Sequence, residues 1–501
     1  MASPDEIGLP WILPTIVVTN RHLRDLSYEA LRALVQANDP PEVFVHAGGL
    51  ARLRRDDGGC RAERMSTAMF RGRLDRVADF VRITDTGNSV AARPPSDVVS
   101  DLLAAGGWPE MPPLDRIVTA PVFASDGSLM TDPGYHRRAR VYYHAAGATK
   151  KIDMSSEPTE AELRRSVDLI VGDLLVEFPF VESADRANTV AMLPLPFARS
   201  LFDGPTPLHV VEAPTPGSGK TLLVQAALLP FLGRIVEGMA EGRDEDEWRK
   251  RLTSKLAMAP EAFFIDNIQS ELRSSSLASA ITASFWEDRR LGKSEIVRYP
   301  VRCLWVVTGN NPQLSIELAR RAIPIRLDAN EQRPWQRTSF KHPLPEWAID
   351  HRTELVEAAL TIIHYWLTEE RPPAQHAVPM GMFDGWSRTM AGILETAGID
   401  GFMANADRFY EAADVETAEL GEFIESWWAQ YGDRHVGVAD LFAIADDCGF
   451  FDLGEGTPKS QRTKLGQQLR GLRDKVVGGH KIIAGGKVQN ALKWRLERFK
   501  P

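Results

Sequence analysis

The sequence predicts an α/β protein built around a strand, glycine loop and helix, with a mixed α/β domain before that unit and a basic helix-and-hairpin domain at the end. Three observations carry this. The apolar strand Leu208-His-Val-Val-Glu-Ala runs directly into Pro214-Thr-Pro-Gly-Ser-Gly-Lys-Thr and then into the helical pattern Leu222-Leu-Val-Gln-Ala-Ala-Leu-Leu. Strand and helix signals keep alternating through residues 206–330, as a parallel sheet requires. Residues 459–501 hold twelve Lys or Arg against Asp474 and Glu497, so a formal net charge of −9 splits into +10 there and −19 on the remainder.

At 501 residues, 44% hydrophobic and 25% charged, the chain is long enough for several packed domains and is no small stapled scaffold. Cys60, Cys303 and Cys448 lie far apart, without the spacing of a disulfide framework or a structural zinc site. The N-terminal residues lack a basic and apolar leader pattern, and no apolar run approaches the ~18 residues that cross a bilayer. The expectation is a cytoplasmic protein with no membrane partner. A basic module on an acidic body points to a localised contact with a polyanion.

Residues 1–155 mix short β-branched and aromatic runs with turn residues: Trp11-Ile-Leu-Pro-Thr-Ile-Val-Val, Glu42-Val-Phe-Val-His, Asp79-Phe-Val-Arg-Ile and Val141-Tyr-Tyr-His. They predict a mixed α/β domain that shows no chemistry of its own. Residues 156–205 form a helical collar, opened by Thr159 as cap with acids in the first turn, continuing through Leu163, Val167, Leu169 and Ile170, and leading to Phe178-Pro-Phe. The α/β core covers 206–345. In 346–432, Leu355, Ala359, Ile362, Ile363 and Trp366 recur at helical spacing, with further helices from Trp386 to Leu394 and Leu420 to Trp428, which predicts a helical lid. In 433–501, helix, turn and helix lead to two β-like runs around Gly478-Gly479 and Gly485-Gly486, the order of a winged helix.

The glycine loop supplies the first chemistry. The nucleotide-binding loop is Pro216, Gly217, Ser218, Gly219, Lys220, Thr221 and Leu222, in which Gly217 and Gly219 let backbone N–H groups turn inward around phosphates at a helix N-terminus. Lys220 would reach the β- and γ-phosphates of ATP, and the Thr221 hydroxyl would hold Mg²⁺. The expected leading glycine is Pro214. Ala262-Phe-Phe-Ile-Asp-Asn then puts Asp266 at the end of a strand, as a second Mg²⁺ ligand, but followed by Asn267 where a water-polarising glutamate is common. Cys303-Leu-Trp-Val-Val-Thr-Gly-Asn-Asn ends in Thr308 and Asn310, groups able to orient water or sense the γ-phosphate. Arg320 and Arg321 close a short helix before another apolar strand, where a cation could reach a neighbouring subunit's site.

In this order, Lys220/Thr221, Asp266, Asn310 and Arg320/Arg321 resemble the P-loop AAA+ ATPase module, and within it the superfamily 3-like replicative helicases of phages, plasmids and integrative elements. The likeness is most specific over 206–345. It implies Walker A at Lys220 and Thr221, Walker B at Asp266, sensor 1 at Asn310 and an arginine finger at Arg320 or Arg321, with Arg352 and Arg388 as sensor 2 candidates. It also implies an AAA+ core, a ring of identical subunits (a hexamer) and 3′→5′ translocation. Between Asp266 and Asn310, Gly292 could turn a hairpin carrying Arg289, Arg290, Lys293 and Arg298, which in the resembled helicases grips one DNA strand in the pore. The basic C-terminal segment is similar to the winged helix of mobile-element primase-helicases. There Arg470 and Arg473 would share one face of a helix over Gly466 to Lys475, with Lys481 and Lys487 on the hairpin.

Two functional classes follow. One is an ATP-dependent ring-forming DNA helicase or translocase in replication of a mobile element. The other is an ATP-gated origin-binding initiator or loader, which Asn267 favours and the basic hairpin disfavours. Residues 1–155 lack a clear acidic pair for two-metal polymerisation, so a primase would be a separate partner.

Overall fold

The computed structural model describes residues 13–56, 59–145, 152, 154–289, 296–338, 340–413, 415–448, 450–488 and 491–499. The chain divides between Ala406 and Asp407 into two units. The first begins with β1 (Thr15–Val17), α1 (Leu23–Gln36), β2 (Val43–His46), β3 (Gly49–Asp56), β4 (Gly59–Arg64), α2 (Thr67–Val77), β5 (Asp79–Ile83), β6 (Ser89–Ala91) and α3 (Ser96–Ala104). Leu26, Ala30, Ala33 and Leu34 lie on one face of α1 and are buried with Phe70, Leu74 and Val77 of α2 and Val98, Val99 and Leu102 of α3. Ser66 starts α2 by accepting the Met69 N–H (3.3 Å). β2, β3 and β4 form an antiparallel meander, while β1 and β5 pair in parallel with β6 at the edge. Five short strands follow: β7 (Arg116–Val118), β8 (Val122–Phe123), β9 (Leu129–Met130), β10 (Gly134–His136) and β11 (Val141–Tyr143).

Thr159 caps α4 (Glu160–Val167) reciprocally with Glu162, and the helix continues through a π-helical turn, Asp168–Leu174, to α5 (Ser183–Met192) and α6 (Leu195–Ala198). Next come β12 (Leu208–Ala213), α7 (Lys220–Leu232), α8 (Glu245–Leu256), β13 (Ala262–Ile268), α9 (Ser275–Thr282), β14 (Phe285–Arg289), β15 (Ile296–Pro300), β16 (Leu304–Asn310), α10 (Ile316–Ala319) and β17 (Ala322–Arg326). The four long strands make a parallel sheet in the order β13-β16-β12-β17. Val210, Val211, Ile265, Val306, Val307, Ile323 and Ile325 are all fully buried, which is why these strands read as nearly continuous apolar runs. α11 (Glu346–Asp350), α12 (Arg352–Thr368) and α13 (Asp384–Thr396) supply the helices expected after the core, with Leu355, Ala359, Ile362, Ile363 and Trp366 buried.

α14 (Ala406–Ala413) spans the division, and the second unit holds α15 (Val415–Tyr431), β18 (Val436–Gly437), α16 (Val438–Asp447), α17 (Pro458–Gly471), β19 (Val476–Val477), β20 (His480–Val488) and β21 (Ala491–Arg498). Its antiparallel sheet runs β18-β21-β20-β19. Two sequence expectations change here. α15, grouped with the lid in 346–432, buries Leu420, Phe423, Ile424 and Trp427 in one core with Leu441, Leu465, Leu469, Ile482 and Trp494. Helical spacing reveals which side is apolar but not which neighbour covers it. The second basic helix starts at Pro458, capped by Thr457, and ends at Gly471, so Arg470 is helical while Arg473 lies beyond the end and pairs with Asp474 (3.2 Å). Gly478 and Gly479 turn β19 into β20, whereas Gly485 and Gly486 sit inside β20 where its register with β21 shifts. No helix among the described residues is long and apolar enough to cross a membrane.

Candidate functional site

All four strands of the parallel sheet present their carboxyl ends on one edge, where β12 pairs Ala213 with Asn310 of β16. The loop after β12 turns through Gly217 (φ 77°) and Gly219 (φ 91°), a region closed to most side chains, and Gly219 is the residue from which α7 starts. Beyond Thr221, α7 is apolar on every side except at Gln225, and Leu223, Val224 and Ala226 to Leu232 are buried. Gly233 ends it in the left-handed region, donating its N–H to Leu229 O (2.8 Å). The helix is therefore fixed along its length while its amino end faces the loop.

On this edge the sequence candidates meet. Thr221 Oγ1 donates to Asp266 Oδ1 (2.9 Å), and Lys220 Nζ donates to Asn310 Oδ1 (2.6 Å) and Thr215 O (3.4 Å). Thr308 Oγ1 donates to the same Asp266 oxygen (2.5 Å) and accepts the Asn267 N–H (2.8 Å), so it fixes the carboxylate from the neighbouring strand. Ser218 Oγ donates to Thr215 O (2.6 Å), which braces the loop. Burial lowers the Lys220 ammonium below its ordinary range, and the Asp266 carboxylate works against that fall. Asn267 stands in the left-handed region (φ 57°) with its side chain exposed.

No cluster of three or more His, Cys, Asp or Glu able to hold a metal occurs among the described residues. The oxygen pair Thr221 and Asp266 nevertheless suits Mg²⁺, which takes one or two protein oxygens together with substrate phosphates. The arginines separate by partner. Arg320 is exposed and makes no ion pair among the described residues, whereas Arg321 is tied back to the backbone and carboxylate of Glu317 (3.4 Å to the carboxylate). Arg352, a sensor 2 candidate, is buried at the other end of α7, donating to Pro230 O (3.1 Å) and Thr119 O (3.0 Å). Arg388 pairs with Asp384 on its own helix (3.2 Å).

The sequence reading missed the cleft beside the loop. About 290 Å³ in volume, it is lined by Gly217, Gly219 and Leu222 on one side and by Phe178, Trp335 and Phe340 around it. Trp335 and Phe340 are 59% and 50% exposed, unusual for such large rings. Arg337 lines the same cleft, its guanidinium 5.3 Å from the Phe340 ring centre and donating to Glu177 O (3.2 Å). Phe178 carried a signal, as the end of the collar; Trp335 lies in a single 3₁₀ turn, Pro334–Gln336, and Phe340 in the irregular segment after it, and neither is marked by any periodicity.

Two basic surfaces were expected elsewhere. β14 and β15 form an antiparallel hairpin whose inner side is anchored to α8 by Trp286 Nε1 to Thr253 Oγ1 (2.9 Å) and Arg249 to Asp288 (2.5 Å). Its outer side exposes Phe285, Arg289, Ile296 and Arg298, the last stacked on Phe285 (4.1 Å) and paired with Glu287 (3.1 Å). Arg290 and Lys293 lie outside the described residues. In the second unit Lys481 is 3.5 Å from Asp474, Lys487 belongs to β20, and Arg470 is exposed with no ion pair among the described residues.

No family model and no curated protein matches the chain. Solved structures do show similarity. SCCmec type IV Cch, described as an active helicase, is 11% identical with a TM-score of 0.34, covering 91% of this chain and 93% of that chain. The apo A form of the NrS-1 C-terminal region is 10% identical with a TM-score of 0.39, covering 90% and 95%. A JCV helicase bound to a small organic molecule is 11% identical with a TM-score of 0.20, covering 53% and 71%. At these values the chemistry has to be read from the residues of this chain.

Proposed function

We propose that the chain is an ATP-dependent DNA helicase or translocase with a P-loop AAA+ core, acting as a homo-oligomeric ring, a hexamer, in replication of a phage, plasmid or integrative element. The observation that carries this reading is the convergence of Lys220, Thr221, Asp266 and Asn310 in two hydrogen-bonded pairs beside a glycine loop and an aromatic cleft. Backbone N–H groups of residues 217–222 would cradle the phosphates, and Lys220 would exchange Asn310 for the β- and γ-phosphates. Thr221 and Asp266 would hold Mg²⁺, which supplies charge neutralisation across the phosphates. The adenine would lie among Phe178, Trp335 and Phe340, within reach of Arg337. Asn310, freed from Lys220, is then able to orient the attacking water.

Arg320, exposed and unpaired among the described residues, suits a finger offered to a neighbouring subunit better than Arg321 does. Single-stranded DNA would run along the outer side of the hairpin, on Phe285, Arg289, Ile296 and Arg298. The second unit would act as a winged helix, with Lys459, Arg462 and Arg470 close to one line along α17 towards duplex or origin DNA. Cytoplasmic location and a separate primase partner belong to the same reading.

A second reading rests on Asn267: with an amide in place of a carboxylate after Asp266, hydrolysis would be slow and the protein an ATP-gated initiator or loader. One experiment separates the two. ATP turnover is measured with and without single-stranded DNA, then strand displacement on a forked duplex, with Lys220→Ala as control. DNA-stimulated turnover and unwinding, both lost in the control, are expected. Nucleotide-dependent assembly on DNA without turnover would favour the initiator, and no response to DNA would overturn both.

A further inference from the structure

The N-terminal α/β region, silent in the sequence, carries a cleft of about 290 Å³ between β2, β3 and α2. Its floor is apolar, made by Val43, Leu53, Met65 and Met69; its walls are Arg52, Arg55, Arg73 and Arg76, with Glu42 as the single acid. Four guanidiniums face one carboxylate, which already pairs with Arg73 (3.2 Å). The other three walls hold donors in reserve. Arg52 uses Nε on Glu63 (2.9 Å), Arg55 one terminal nitrogen on Tyr142 Oη (2.8 Å) and Arg76 one on Gly72 O (2.5 Å), although each guanidinium offers five N–H groups. Arg73 is mostly buried, and its Nε has no hydrogen-bond partner there. Such a group is costly unless a ligand completes it. The floor is held in place by Asn38, whose side chain accepts the Val43 N–H (2.9 Å) and donates to Val43 O (2.7 Å).

We propose that this cleft binds a nucleotide unit of single-stranded nucleic acid, its phosphate on the arginines and its base against Met65, Met69 and Leu53. Each feature has a matching part in that ligand. Guanidiniums take phosphate oxygens in bidentate pairs, and thioethers sit well against aromatic rings. A duplex keeps its bases stacked inside and its phosphates on a convex surface, so it can offer the rim charge but cannot fill an apolar floor. The volume suits one nucleotide, and the arginines on β3, β4 and α2 beyond the cleft would meet the next phosphates of a strand. The inference shares nucleic acid with the motor reading but concerns a different region, and its test is site-resolved for that reason.

The full-length chain, without ATP, is irradiated with a 20-mer of thymidine carrying 4-thiothymidine, and the cross-linked tryptic peptides are mapped. Labelling of Met65–Arg71 is expected. Arg52→Gln with Arg76→Gln should reduce that label at least fivefold and lower the log–log salt slope of binding by about 1.4, two phosphate contacts on a single strand, with the melting curve unchanged. Because the primary readout uses the unaltered chain, it does not depend on the variants folding. A label displaced by millimolar thymidine monophosphate as readily as by unlabelled oligomer would overturn the strand assignment in favour of a free nucleotide, and equal competition by duplex would overturn it too. Cross-links confined to β14, β15 and the second unit, or none anywhere, would overturn this inference and leave the motor reading standing, since that reading is tested with ATP present.

Discussion

Individual residues here are read through their partners. Trp335 is exposed beside the glycine loop, so Trp335→Ala is expected to raise the KM for ATP about 3- to 10-fold with little change in kcat, the size of one lost ring contact. A kcat effect of the same size would instead place it in the chemical step. Glu261 shows the opposite case, a carboxylate with a structural task. Its Oε1 accepts the N–H (3.1 Å) and hydroxyl (3.3 Å) of Thr119, stitching the N-terminal strands to the start of β13. Burial pushes it up to about 7 from an ordinary 4.5, although Arg234 and Arg116 pull the other way. A folded-state value above the unfolded one contributes stability that is complete below about pH 4.5 and lost as pH rises towards 7. Glu261→Gln should therefore flatten the decline in melting temperature between pH 5 and 7. An unchanged slope would assign that decline to another group.

At the scale of elements, the glycine loop is constrained from two sides. Gly217 needs its positive φ, and a Cβ there would stand 2.9 Å from Trp335 Cβ. Gly217→Ala is thus expected to cost roughly 1–2 kcal/mol of stability through the left-handed backbone alone, and to weaken nucleotide binding by reshaping the cleft. Normal affinity in a folded variant would show that the loop tolerates both. The loop, β12 and α7 were legible because their chemistry is local: an apolar strand, two glycines and an apolar helix in consecutive order. The start of α17 is equally local, in Thr457 and Pro458, and lies eight residues before the Gly466 start expected for that helix. The exposed outer side of the β14–β15 hairpin follows from strict alternation, with Trp286, Val297 and Tyr299 turned in and Phe285, Ile296 and Arg298 turned out.

On the scale of the whole molecule, a finger offered between subunits makes a prediction that no single subunit can. If Arg320 completes a neighbour's site, an equal mixture of Lys220→Ala and Arg320→Ala chains should recover up to about a quarter of the wild-type ATPase, since one interface in four then joins an intact lysine to an intact arginine. No recovery after verified subunit exchange would place both residues in the same chain's site. The second unit has a core of its own, with Trp427 and Trp494 buried. Residues 407–501 alone should accordingly melt cooperatively with a near-ultraviolet signal, and a fragment without one would show that this core depends on the rest of the chain. The sequence by itself determined the α/β alternation, the glycine loop with Lys220 and Thr221, the strand-end positions of Asp266 and Asn310, and the basic C-terminal segment, because each is written in neighbouring residues. Only the tertiary structure decided that Thr308 braces Asp266, that Arg352 is spent on the far end of α7, that Trp335 walls the cleft, that α15 packs into the second unit, and that four arginines of the N-terminal region surround one apolar floor. These depend on which distant segments meet, and burial and hydrogen bonding between them leave no periodic trace in the chain.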